Sequence, residues 1–460
     1  MNPRLKTRHK VLIASAAATA GVVALAGSID QGSLARTLLP TPGSRRLPAG
    51  LAGDVKYLRR AVRRLELGAT RQEWLAFSEV LATRPSGSVD DLTLTTSEAL
   101  AQFHNAATSL LTTSAHRLPV RFSWMADDLV VVKARPEHAE LVGQRVLRIG
   151  GGQPHDVWPG FVRFIGGGTR AWQRNRSAWF FTVPAALQRI GQLTDQRVPV
   201  RLETEAVDGT VTVTHLTADV EALPGGPLAD FRDRFPGDAG LGTRGWVTAL
   251  DQLDEERLPV SQRRLNDLVW HTRLGDASYL RLLSSADGRD PSSQVVERAV
   301  ADLADDEPSR YVVDVRYAAG GDYRAVLPLV RAVAERARTL SVPIRVVIGP
   351  NTVGGGLIAA SQVLAHAPER TLLVGNEVGD ELKFRGQGRL VVLPRSGLTV
   401  QLCHDWHDLS HDAGLWGDVW LPDKFLLQGV GQFRPDVAVQ NTWRDYLAGT
   451  DRMLDAALTS

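Results

Sequence analysis

The chain has 460 residues, 43% of them hydrophobic and 23% charged, enough for two or three domains with cores of their own. A net charge of +2 supplies no strong field, which excludes nucleic acid or an acidic polymer as a partner on charge grounds. The single cysteine, Cys403, excludes an internal disulfide.

Arg4, Lys6, Arg8 and Lys10 precede an uncharged run from Val11 to Ile29. Within it, Ala24-Leu25-Ala26 has the small-x-small form of a signal-peptidase site. Residues 1–29 are therefore expected to be a signal peptide. If uncleaved, they are a membrane anchor just long enough to cross a bilayer, its basic side cytoplasmic. Either way the protein is expected to be exported, periplasmic or extracellular, with N-terminal membrane association in the uncleaved case.

Residues 30–53, rich in Ser, Pro, Gly and Leu, read as a linker. Residues 54–115 read as a helical domain, with Leu58, Ala61, Val62 and Leu65 at i, i+3, i+4 and i+7. Residues 116–222 read as a β-rich module with embedded helices, strand-like at 122–132 and 198–216. Its helix near 170–192 carries Arg170, Trp172, Arg174, Arg176 and Trp179, expected to pack between modules rather than to line a groove. Residues 223–265 read as a connection. From 266 to 460, strands near 277–282, 311–316, 344–348 and 371–374 alternate with helices near 295–303, 325–340 and 355–366. That alternation predicts α/β structure with right-handed crossovers.

In such a sheet the reactive groups sit on loops after the carboxyl ends of strands. Two loops qualify, residues 316–321 and 349–356. Gly320, Gly321, Gly354 and Gly355 let backbone N–H groups turn toward a small ligand. The first helical turn after Gly354 adds donors and a favourable dipole. Together they suggest an oxyanion-like cradle.

The order of motifs resembles the S41 peptidases, the tail-specific or C-terminal processing proteases. Val313-Asp-Val-Arg-Tyr-Ala-Ala-Gly-Gly-Asp322 is similar to the family's Asp-x-Arg-x-Asn-x-Gly-Gly segment, and the stretch from Ile348 to Gly356 to its nucleophile turn. Leu373-Val-Gly-Asn-Glu-Val-Gly379, Leu393-Pro-Arg-Ser-Gly-Leu398 and the segment around Pro435 to Asp451 match the motifs that follow. Leu141-Val-Gly-Gln-Arg-Val-Leu-Arg-Ile-Gly150 resembles the PDZ-like module upstream. The resemblance implies an S41-like α/β core, preceded by a β-rich PDZ-like module and an N-terminal helical domain.

The same resemblance implies lost chemistry. The nucleophile serine falls on Gly354, the histidine base on Ala107, the loop asparagine on Ala318 and the glutamate on Asn376. Removing nucleophile or base costs on the order of 10⁶-fold in kcat. The expectation is a pseudoenzyme that binds a peptide, an acyl or apolar ligand, or a protein partner in the inherited cleft, with no cofactor. An active hydrolase would need a displaced nucleophile, Ser361 or Ser109, with His104 or Lys383 as base. A third reading is a metal site at His404, His407 and His411, which share a face at i, i+3 and i+7 if their segment is helical.

Overall fold

The computed structural model describes residues 47–460, apart from 66–67, 85, 224–232, 235–242, 244, 252, 255, 284–291, 413, 415–418 and 421. The expected signal peptide or anchor and most of the 30–53 linker lie outside the described residues.

The chain opens with helices α1 (Leu51–Leu65), α2 (Arg71–Thr83) and α3 (Val89–Ala101). In α1 the spacing read from the sequence is realised: Leu58, Ala61, Val62 and Leu65 are fully buried. A reciprocal capping box between Thr70 and Glu73 starts α2, and the Ser88 side chain caps α3. Strand β1 (Ser109–Arg117) follows, so the expected helical segment 54–115 ends in a strand.

The middle module holds β2 (Val120–Met125), β3 (Asp128–Ala134), β4 (Arg145–Ile149), helix α4 (Arg170–Phe180), β5 (Val200–Glu205) and β6 (Val211–Leu216). The sheet is antiparallel in the order β2-β3-β4-β5-β6. Val200 and Leu202 point inward, as alternation predicts, whereas Val211 and Val213 on edge strand β6 are exposed. Strand β7 (Asp219–Leu223) returns to pair with β1, and β8 (Val247–Thr248) pairs with β3.

The C-terminal region carries β9 (Val269–Leu274), β10 (Ala277–Leu282), α5 (Ser292–Ala304), β11 (Arg310–Asp314), α6 (Leu327–Leu340), β12 (Ile344–Ile348), α7 (Gly355–His366) and β13 (Thr371–Gly375). Next come the hairpin β14 (Lys383–Val392) and β15 (Thr399–Asp408), then β16 (Val437–Ala438), α8 (Trp443–Ala448) and α9 (Arg452–Thr459). The main sheet runs β16-β13-β12-β11-β10-β9, parallel except for the β9–β10 hairpin. Every residue of β12 is buried, the mark of a strand covered on both faces. One face packs under α5, α6 and α7, and Met453, Leu454 and Ala457 of α9 pack on the other. This is the mixed α/β architecture expected from the sequence.

The hairpin leaves this sheet. β15 pairs with β1, giving a third sheet ordered β14-β15-β1-β7. Its apolar residues Val391, Leu393, Leu398, Val400 and Leu402 complete the core of the N-terminal helices.

Candidate functional site

The loops after β11, β12 and β13 meet at the carboxyl edge of the main sheet. The first is fixed from below by Arg316, whose guanidinium bridges Asp314 (2.9 Å) and Asp451 (2.6 Å), all three buried. It lies side by side with the second. The Val353 N–H donates to the Ala318 carbonyl (3.1 Å), and the Thr352 hydroxyl donates to the Val315 carbonyl (2.8 Å) while accepting from the Gly349 N–H (3.0 Å). The Gly379 N–H donates to the Thr352 carbonyl (3.0 Å), which brings in the loop after β13.

Gly354 occupies the corner between β12 and α7 at φ 51°, ψ −121°, a conformation L side chains avoid. A Cβ there would lie 3.4 Å from Gly320 Cα, so a side chain at this position would stand over the neighbouring loop. Positive φ at a strand-to-helix corner is the backbone form that a nucleophile elbow uses, and here the residue is glycine.

The Gly354 N–H is not open to a ligand. It donates to Asp380 Oδ2 at 2.7 Å. Asp380 is buried, and burial pushes its carboxyl up to about 6, against the opposing pull of that hydrogen bond and of His407. The expected role of Gly354 as a free donor is thus corrected: an internal carboxylate already uses the helix N-terminus. Gly320 and Gly321 turn at positive φ on the adjoining loop, and Gly355 is buried in the first turn of α7.

His407 stands close enough to Asp380 to lower its pKa. Its Nδ1 bonds Asp423 Oδ2 at 2.6 Å, and the Tyr323 hydroxyl donates to Asp423 Oδ1, also at 2.6 Å. All three side chains are buried. Desolvation and the Asp423 carboxylate push the Tyr323 hydroxyl well above its usual range, so it stays a donor. The imidazole lies between Phe384, at 5.0 Å, and Tyr323, at 5.9 Å between ring centroids. Nδ1 faces the Asp423 carboxyl group, and Nε2 is the other ring nitrogen. Nε2 faces Gly386, where a Cβ would come within 2.5 Å of it. It has no hydrogen-bond partner among the described residues.

The displaced candidates do not gather here. Ser361 is fully buried, and its hydroxyl donates to the Ile358 carbonyl (2.8 Å). Two turns along α7 it faces the helix packing, which removes it as a nucleophile. Ser109 is paired with Gln401 in the third sheet. His104 is exposed at φ 47° on the turn after α3. The Lys383 side chain, 55% exposed, lies 3.8 Å from Asp408 and over the Trp406 ring, so it lacks the burial a lysine base needs. Ala107 contributes only its carbonyl, to Cys403 Sγ (3.6 Å). Ala318 is buried, and Asn376 accepts from the Glu377 N–H (2.8 Å).

The three histidines do not converge either. The segment is a strand whose register shifts beside His404, so the helical spacing i, i+3 and i+7 does not apply. His404 lies 3.2 Å from Asp405, His407 bonds Asp423, and His411 is exposed beyond the strand end, 3.6 Å from Asp408. No group of three or more His, Cys, Asp and Glu among the described residues converges to hold a metal ion.

The aromatic-basic helix α4 packs as expected. Arg174 stacks 4.3 Å from the Trp124 ring centroid, and Arg176 5.5 Å from that of Trp172. The helix also reaches the site loops. The Thr169 hydroxyl donates to the Val378 carbonyl (2.6 Å), and Asn175 Nδ2 to Asn351 Oδ1 (2.8 Å).

Asp380, Tyr323 and Asp423 were not singled out from the sequence. Asp380 directly follows a recognisable motif ending at Gly379 and was within reach of that reading. Asp423 joins His407 only through the folded chain.

No family model matches the chain, and no curated protein matches it. Among solved structures it is similar to mature CPAF, with TM-score 0.54 and 14% identity over 94% of this chain and 96% of that one. Mature CPAF complexed with lactacystin gives TM-score 0.53 and 14% identity over 95% and 98%. The photosystem II D1 C-terminal processing protease gives TM-score 0.35 and 12% identity over 84% and 92%, too low to define a common fold. The likeness to CPAF is one of fold along nearly the whole chain.

Proposed function

We propose that this protein is an exported S41-peptidase-like scaffold that has given up ordinary serine hydrolysis. In this reading it binds a peptide, an acyl or apolar ligand, or a protein partner beside the loops after β11 and β12. The single observation that carries the proposal is the elbow at Gly354. It keeps the backbone form suited to a nucleophile, has no side chain, and spends its N–H on Asp380. A carboxylate in that place also opposes a developing oxyanion. The motif order in the sequence supports the S41 affiliation.

The test is labelling of the folded full chain with a fluorophosphonate, alongside turnover of peptide and ester substrates. No labelled serine and no turnover are expected. Turnover abolished by the probe would overturn the proposal. Lactacystin, with which mature CPAF has been solved in complex, is a direct ligand probe. Binding that raises Tm with no change in protein mass is the expected result.

A second reading rests on the His407–Asp423–Tyr323 chain, which has the form of an oriented general base acting on water. It predicts turnover that resists the fluorophosphonate and falls about 10²–10⁴-fold in His407→Gln. Turnover unchanged in that variant, or absent from the wild type, removes it.

A further inference from the structure

Far from the elbow, the outer face of α1 carries an unusual charge arrangement. Lys56, Arg59, Arg60 and Arg63 line one cleft of about 480 Å³, walled on one side by Val55 and by the half-buried Trp74 of α2. The cleft is shallow and largely open to solvent. The spacing follows from the helix: residues 56, 59, 60 and 63 form the stripe opposite Leu58, Ala61, Val62 and Leu65, which face the core.

Among the described residues no carboxylate neutralises this stripe. The carboxylate of Asp54, on the same helix, is turned inward, where it accepts from the backbone N–H groups of Arg395 (2.8 Å) and Ser396 (2.7 Å). Glu73, next to Trp74, is held by the Thr70 N–H (2.6 Å) and lies 3.7 Å from Arg385. None of the four cations has a carboxylate partner among the described residues. Upstream of Asp54 the sequence holds one acid, Asp30, and the next after α1, Glu66, lies outside the described residues. Four like charges around one concavity repel one another, and an anion between them removes that repulsion.

We propose that this cleft binds a phosphate-bearing anion. Three guanidinium forks suit a phosphate group, whose oxygens accept paired N–H donors in that geometry. Trp74 and Val55 supply an apolar wall for whatever carries the phosphate. The site is independent of the loops around Gly354.

The test uses the full chain and two probes: inorganic pyrophosphate, and phosphatidylcholine vesicles with and without phosphatidylglycerol. Pyrophosphate is expected to raise Tm and to bind more weakly as salt increases. Arg59→Glu combined with Arg63→Glu should weaken that binding at least about tenfold, and the paired Arg→Lys changes should keep part of it. Both arginines are exposed, so the fold is expected to survive and is checked by an unchanged Tm without ligand. Pyrophosphate binding that is lost in the Glu variant identifies a soluble phosphate compound. A preference for phosphatidylglycerol vesicles lost in the same variant identifies a lipid headgroup. If neither probe distinguishes wild type from the Glu variant, the proposal is wrong.

Discussion

At the scale of single residues, the site is governed by two backbone positions and one carboxylate. Gly356 has no room for a side chain, because a Cβ would sit 2.3 Å from the Ala318 carbonyl oxygen. Gly356→Ala should cost about 3 kcal/mol or prevent folding, read from urea denaturation. Asp380 gives a pH signature. Its carboxyl titrates near 3.8 when unfolded and about 6 when folded. Between those values the folded state holds more of the proton, so this residue makes stability fall as pH rises from about 4 to about 6. Asp380→Asn removes that contribution. The variant should gain roughly 1–3 kcal/mol relative to wild type between pH 4 and pH 7. Parallel pH dependence in the two proteins would refute the buried carboxylate. The glycine at 354 was legible in the sequence, since an elbow without a side chain leaves a local trace. The partner of its N–H was not, because Asp380 reaches it across 26 residues through tertiary packing.

At the scale of elements, the loop after β11 is held by the terminal helix. Asp451 caps α9 through the Leu454 N–H, accepts from the Ser261 hydroxyl (2.8 Å) and pairs with Arg316. Burial alone would raise its pKa, but the Arg316 guanidinium and these hydrogen bonds bring it below the ordinary carboxylate value. Asp451→Ala leaves a buried, half-paired guanidinium and should cost about 3–5 kcal/mol. Asp451→Asn, which keeps the cap, should cost less, and equal losses in the two would reject the ion pair as the cause. The parallel strands were readable because each is a short apolar run bounded by turn residues. The second half of strand β15 was not. His404 and His407, with His411 beyond the strand end, are spaced i, i+3 and i+7 like a helical face, and only pairing with β14 reveals a strand there.

At the scale of the whole molecule, the N-terminal helices and the C-terminal hairpin make one core. A chain beginning at residue 105, without α1–α3, would expose Val391, Leu393, Val400 and Leu402 on the hairpin. It is expected to aggregate and elute in the void volume of a sizing column. A soluble monomer with native ellipticity would show that the helices are a separable domain. Sequence order suggested such a domain because local periodicity carries no information about a partner some 300 residues away.

The crowding between Ala318 and Gly356 also orders events in time. Any lineage that gains a side chain at 356 must first move the 318 carbonyl. Position 356 cannot change alone without passing through a poorly folded protein. A serine entering at Gly354 would therefore arrive in a loop pair already committed to its present shape.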